Sequence, residues 1–174
     1  MKMKKYISVA LIALLTLTIS SCTKQFDVAG IEPKLPKLQL SSLGYQQVGP
    51  FTSGTILQLN FGATASFTEV GAFKLEVFSG STISGTAVPV KTVNFTSWSG
   101  KDDTSTATVT NHTISYVLEP TSYESTKVYG GTILLKLSSL GLVSGTTYSV
   151  RITGYSAGNT LNSAYSQLAF FKML

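Results

Sequence analysis

The 174-residue sequence contains one cysteine, one histidine and one tryptophan. One cysteine excludes an internal disulfide and a thiolate metal cage. One histidine leaves no cluster for a transition metal, and a Ser-His-Asp arrangement would have to be built on His112 alone. No GxSxG elbow is present. Charge is scarce as well. Only 12% of residues are Asp, Glu, Lys or Arg, about half the usual fraction of a soluble domain. The basic residues stand singly, without the clustered face that a nucleic acid needs. Helical periodicity is missing, and beyond the first 21 residues so is any long apolar run. The expectation is therefore no enzyme, no cofactor, no metal site and no nucleic-acid partner. Ser, Thr and Gly are abundant, and aromatic residues make up 10%. That composition favours strands over helices.

The long apolar run is at the start. "MKMKK" is positive, and Tyr6 to Ile19 is then almost wholly apolar, about 14 residues against the roughly 20 that span a bilayer as a helix. A charged start, a short apolar core and small residues are the marks of a secretory leader. Ile19-Ser20-Ser21-Cys22 resembles a bacterial lipobox. That resemblance implies a leader over 1–21, cleavage before Cys22 and a diacylglycerol thioether on its thiol. Two or three acyl chains would hold the protein on a membrane, each buried methylene contributing about 0.8 kcal/mol. "SCTKQFD" is similar to the mature starts of Bacteroidetes outer-membrane lipoproteins, which implies the outer membrane, on its cell-surface or periplasmic face. Removing Lys2, Lys4 and Lys5 from the 13 basic residues leaves ten against eight acidic ones, a nearly balanced mature protein. Residues 22–37, with Pro33 and Pro36, read as an extended tether.

From residue 38 to 174 the pattern has period two, the mark of half-buried strands. Leu57, Leu59 and Phe61 alternate with Gln58 and Asn60. Phe73, Leu75 and Val77 alternate with Lys74 and Glu76. "AVPVKTVNF" carries Val88, Val90, Val93 and Phe95, with a phase slip and Pro89, which predicts an edge strand or a bulge. Ile114, Tyr116 and Leu118 form one inward set, Ile133, Leu135 and Leu137 the next, then Tyr148, Val150 and Ile152. "QLAFFKM" reads as a last strand. Turn signals separate these runs. The predicted fold is an all-β, antiparallel sandwich of seven to nine strands.

The segment "LLKLSSLGLVSGTTYSVRITGYSAGN" resembles the E–F–G region of fibronectin type III and related immunoglobulin-like domains. The resemblance implies that Thr146-Thr147-Tyr148 opens strand F. Tyr148 then serves as a tyrosine corner, its hydroxyl bonding back to upstream backbone. The strand-B tryptophan of that family has no counterpart in "TILQLNFGA".

Candidate ligand residues lie in two loops. Trp98, in "NFTSWSGKDD", either stacks on a sugar ring with Asp102 and Asp103 nearby or caps the core. Tyr123 and Tyr129, in "PTSYESTKVYGG", flank a second loop that could join it. Asp102-Asp103 is also the only acidic pair. Calcium takes about six to eight oxygens, however, so a polar turn is expected there. The functional expectation is a lipid-anchored envelope protein for binding or adhesion, with a polysaccharide or an envelope protein as partner. The alternative is an assembly protein that joins partners through an exposed sheet edge.

Overall fold

In the computed structural model, residues 36–174 are described, with backbone alone for 159–170. The proposed leader, Cys22 and most of the tether lie outside the described residues. The alternating stretches are strands: β1 (Lys37–Gly44), β2 (Ile56–Ser66), β3 (Val70–Ser79), β4 (Lys91–Phe95), β5 (Gly100–Lys101), β6 (His112–Glu119), β7 (Thr126–Lys136), β8 (Thr147–Ser156) and β9 (Asn159–Lys172). The helical content among them is one 3-10 turn, Leu137–Ser139.

The strands pair antiparallel into two sheets, ordered β1-β2-β7-β6-β5 and β4-β3-β8-β9. Period-two alternation gives each sheet one apolar face, and burying both faces together makes the sandwich. Leu57, Leu59 and Phe61 of β2, Ile133 and Leu135 of β7, Phe73, Leu75 and Val77 of β3 and Val150 and Ile152 of β8 are all buried in one core. Each such side chain contributes about 1.5–3 kcal/mol over its exposed state. The longest uninterrupted ladder joins β2 and β7 over eleven pairs, from Ile56↔Lys136 to Ser66↔Thr126.

Two glycines shape this core by close approach. Gly131 of β7 lies under the Phe61 ring, and Gly154 of β8 lies under the indole of Trp98. A Cβ on Gly154 would meet Trp98 Cζ2 at 2.5 Å. Trp98 itself packs edge-on against Phe61 of β2 and Phe73 of β3, and tilted against Tyr129 of β7. One residue from the β4–β5 connection thus touches both sheets.

The edge strand expected in "AVPVKTVNF" is β4, the outer strand of its sheet; it begins at Lys91, and Val88 and Val90 on either side of Pro89 are exposed. One sequence expectation is corrected. Tyr116 and Leu118 are exposed although they follow Ile114 in phase. From Ser115 onward every residue of β6 is exposed, with Tyr116 packing edge-on against Tyr129 of its own sheet. Near β8, the Tyr148 hydroxyl accepts a hydrogen bond from Val143 N–H at 2.8 Å. This ties the turn before β8 to the strand.

Candidate functional site

Of the sequence candidates, Trp98, Tyr129 and Asp102 are buried and present no surface to a ligand, while Asp103 is exposed. Trp98 is 1% exposed, and its Nε1–H donates to the Ala72 carbonyl at 3.2 Å. The polar loop around it folds inward because a cavity between Phe61, Phe73 and Gly154 is filled only by a large ring. Tyr129 is buried beside it.

Asp102 is buried too, and its oxygens are taken. Oδ1 accepts from the Ser105 hydroxyl and from His112 N–H at 3.0 Å, and Oδ2 from the Thr104 hydroxyl and Thr104 N–H at 3.2 Å. Burial opposes its charge, but the bonds from Ser105, Thr104 and His112 outweigh that and hold its pKa below the ordinary value. Asp103 points elsewhere and accepts from Asn94 Nδ2 at 3.0 Å. The two carboxylates therefore do not converge on a cation. Among the described residues no three acidic, His or Cys side chains come together.

His112, the first residue of β6, is buried opposite Leu135 of β7. Lys136 N–H donates to its Nδ1 at 3.3 Å, so the ring proton is on Nε2. That proton faces the Ser139 hydroxyl at 3.1 Å, and the hydroxyl donates in turn to the Lys136 carbonyl at 2.8 Å. A histidine that donates to a serine has no lone pair there to take the serine proton, so the pair is arranged to brace the β7 end.

Burial lowers the His112 pKa from its ordinary 6.5. Asp102 pulls upward, while Lys91 and Lys136 push further down. A depressed histidine pKa means the unfolded chain binds the proton first, so stability is full above about pH 6.5 and falls as pH drops below it. The slope for one proton reaches about 1.4 kcal/mol per pH unit at most. Asp102 adds a second loss below about pH 4, where its unfolded form takes up a proton. Denaturant midpoints between pH 7.5 and 5 should decline in the native chain and stay level in His112→Gln, whatever its absolute stability. A level native profile would refute the assignment.

Two exposed aromatic residues, Phe67 and Tyr123, lie elsewhere, around the Ser66↔Thr126 end of the β2–β7 ladder. Phe67 follows β2 with φ 54°, and Ser125 precedes β7 with φ 58°. Both sit in the left-handed region, which costs a non-glycine residue about 1–3 kcal/mol. Phe67 N–H donates to the Ser125 carbonyl at 2.9 Å, and Thr126 N–H to the Tyr123 carbonyl at 3.4 Å. The Ser66 and Thr126 hydroxyls bond each other at 2.8 Å. These bonds lock the two turns to one another. Tyr123 is 75% exposed and Phe67 42%.

Beside them opens a cleft of about 540 Å³ lined by Phe67, Thr68, Glu69, Ser125, Thr126 and Lys127. Lys127 Nζ and Glu69 Oε1 pair across it at 2.5 Å, and this hydrogen bond raises the lysine pKa. The surface therefore offers apolar rings, hydroxyls, a carboxylate and an ammonium within a few residues. Tyr123 is the one sequence candidate of the binding set located here. Phe67 was missed because it continues the phase of Ala63 and Ala65, which are buried. The positive φ that turns it out of the strand has no sequence signal in a phenylalanine.

No protein-family model matches the chain, and no curated protein matches it significantly. Among solved structures it is similar to a DUF4466 family protein from Parabacteroides merdae ATCC 43184, with a TM-score of 0.39 and 9% identity. The match covers 79% of this chain and 44% of that one, so the chain spans less than half the length of that protein.

Proposed function

We propose that this chain is a lipid-anchored, glycan-binding protein of the bacterial outer membrane, held by Cys22, with its sandwich presenting the Phe67–Tyr123 turns to a polysaccharide. The observation that carries the reading is the pair of interlocked turns with exposed rings beside the Glu69–Lys127 cleft. A pyranose presents an apolar C–H face and a rim of hydroxyls. An exposed ring takes the face, and a carboxylate with an ammonium takes the rim. Strain held at Phe67 and Ser125 favours this end as a binding site, because such strain persists where the geometry is needed. The strand order and the Tyr148–Val143 bond support an immunoglobulin-like reading of the sandwich. The function proposed is retention of the glycan and not its turnover.

A glycan array probed with the purified protein tests this, followed by titration of the best polysaccharide. Tyr123→Ala is expected to weaken binding about tenfold or more, equivalent to about 1.4 kcal/mol. Its unfolding midpoint should stay level, because surface changes shift stability by only about 0.5 kcal/mol. Unchanged affinity in Tyr123→Ala, or silence across the array, would discard the reading. The mass of the mature N-terminus reports the anchor: an unmodified Cys22 would remove it.

A further inference from the structure

The four outer strands of the two sheets are not equally protected. An open strand edge templates pairing with another chain, and proteins blunt it with bulges, prolines, lysines or short strands. In β1 the register shifts between Ser41 and Gly44, with Ser42 at φ 55°. β4 opens on Lys91 just after Pro89. The β8–β9 ladder is broken by two shifts. β5 is two residues long and covers β6 only at Thr113 and Ile114. Beyond it, Ser115–Glu119 has no strand on its outer side among the described residues. That stretch is regular, without a shift in its ladder to β7. It carries no charge before Glu119. Tyr116, Val117 and Leu118 are 38%, 61% and 57% exposed.

The direction of the free backbone groups follows from one bond. Asp102 N–H donates to the His112 carbonyl, on the side away from β7. In an antiparallel strand the amide and carbonyl of one residue point the same way and alternate from residue to residue. Ile114, Tyr116 and Leu118 therefore also point away from β7. Gly100 of β5 lies opposite Ile114. Among the described residues, Tyr116 and Leu118 are left with both groups open. Pro120 follows and has no N–H to extend the row.

The open stretch is thus bounded by β5 at one end and Pro120 at the other, with Val117 at its centre. We propose that it pairs with the same stretch of a second copy of this chain, antiparallel about a two-fold axis at Val117. In that register Tyr116 lies opposite Leu118 of the second copy, and each such pair exchanges two hydrogen bonds, four in all. The pairing joins apolar to apolar on both faces, Tyr116 to Leu118 on one and Val117 to Val117 on the other. Glu119 falls opposite Ser115, so the one acidic residue of each strand meets a neutral one. A parallel alignment would set the two Glu119 carboxylates side by side. An isologous contact of this kind closes on itself and stops at a dimer.

Cysteine cross-linking in the full chain in detergent solution tests the register. Val117 sits at a non-hydrogen-bonded pair, where Cα atoms are about 4.5 Å apart, within disulfide reach. Val117→Cys should give about tenfold more disulfide-linked dimer under mild oxidation than Val143→Cys, an exposed site in the turn before β8 that carries the same Cys22 background. Within Val117→Cys, adding Ser115→Glu should lower the yield by placing like charges opposite each other, and Ser115→Lys should raise it. Equal yields at Val117 and Val143 would overturn the proposal, as would a yield that ignores the charge at Ser115. Both Ser115 changes are on an exposed side chain, so the fold is not at stake.

Discussion

Replacing Trp98 with alanine is expected to lower the unfolding free energy by about 3–5 kcal/mol, the range for removing a fully buried large aromatic. A domain of this size has only about 5–15 kcal/mol in total, so the variant would be marginal at physiological temperature. Three losses add up. The ring leaves a cavity between Phe61, Phe73 and Tyr129, which pack against it at centroid distances of 5.5, 5.2 and 5.5 Å. The Ala72 carbonyl loses its donor. Gly154 then faces an empty notch, because its missing side chain was the space the indole filled. Trp98→Phe should recover part of the loss by refilling some of the volume. Denaturant unfolding with Val143→Ala as an exposed comparison measures the effect. A change under 1 kcal/mol in Trp98→Ala would contradict the placement of the ring, because a buried indole cannot be removed so cheaply.

Gly131→Ala is expected to have the second largest effect, by the opposite route. The added methyl would overlap the edge of the Phe61 ring, with Cζ at 2.1 Å and even Cε2 only 2.6 Å from it. A ring edge on an open surface could swing away. Phe61 cannot, because Phe73 is 5.1 Å away and Trp98 holds the other side. Overpacking of this kind costs about 1–3 kcal/mol or more. The double variant Gly131→Ala with Phe61→Leu should be less unstable than the sum of the two single changes, since the smaller side chain makes room for the methyl. Strict additivity in the unfolding midpoints would show that the two positions do not share the space.

The sandwich was legible because its two sheets each bury one face. That requirement writes period two directly into β2, β3, β7 and β8, and Leu57, Leu75, Ile133 and Val150 follow from it. What the pattern could not carry was anything fixed by partners far along the chain. Tyr116 and Leu118 keep the phase of Ile114, yet they are exposed because burial depends on what lies across from β6. Trp98 is surrounded by Ser, Thr and Gly, the vocabulary of a loop. It is in a loop, and the loop folds into the gap between the sheets. Asp102 had a partial signal: a carboxylate followed by Thr104 and Ser105 is built to bond its own downstream turn. Of the residues in the proposed glycan site, Tyr123 had a signal in its polar, turn-rich setting. Phe67 was hidden by its agreement with Ala63 and Ala65.

Trp98 also gives the protein a property separate from its stability. It is the only tryptophan in the chain, and it lies between both sheets with Tyr129 close enough to pass it excitation energy. Its fluorescence is therefore a gauge of sheet closure alone, emitting to the blue while the sheets are together and shifting red when they part. The proposed glycan cleft and the β6 edge contain no second indole to blur that signal.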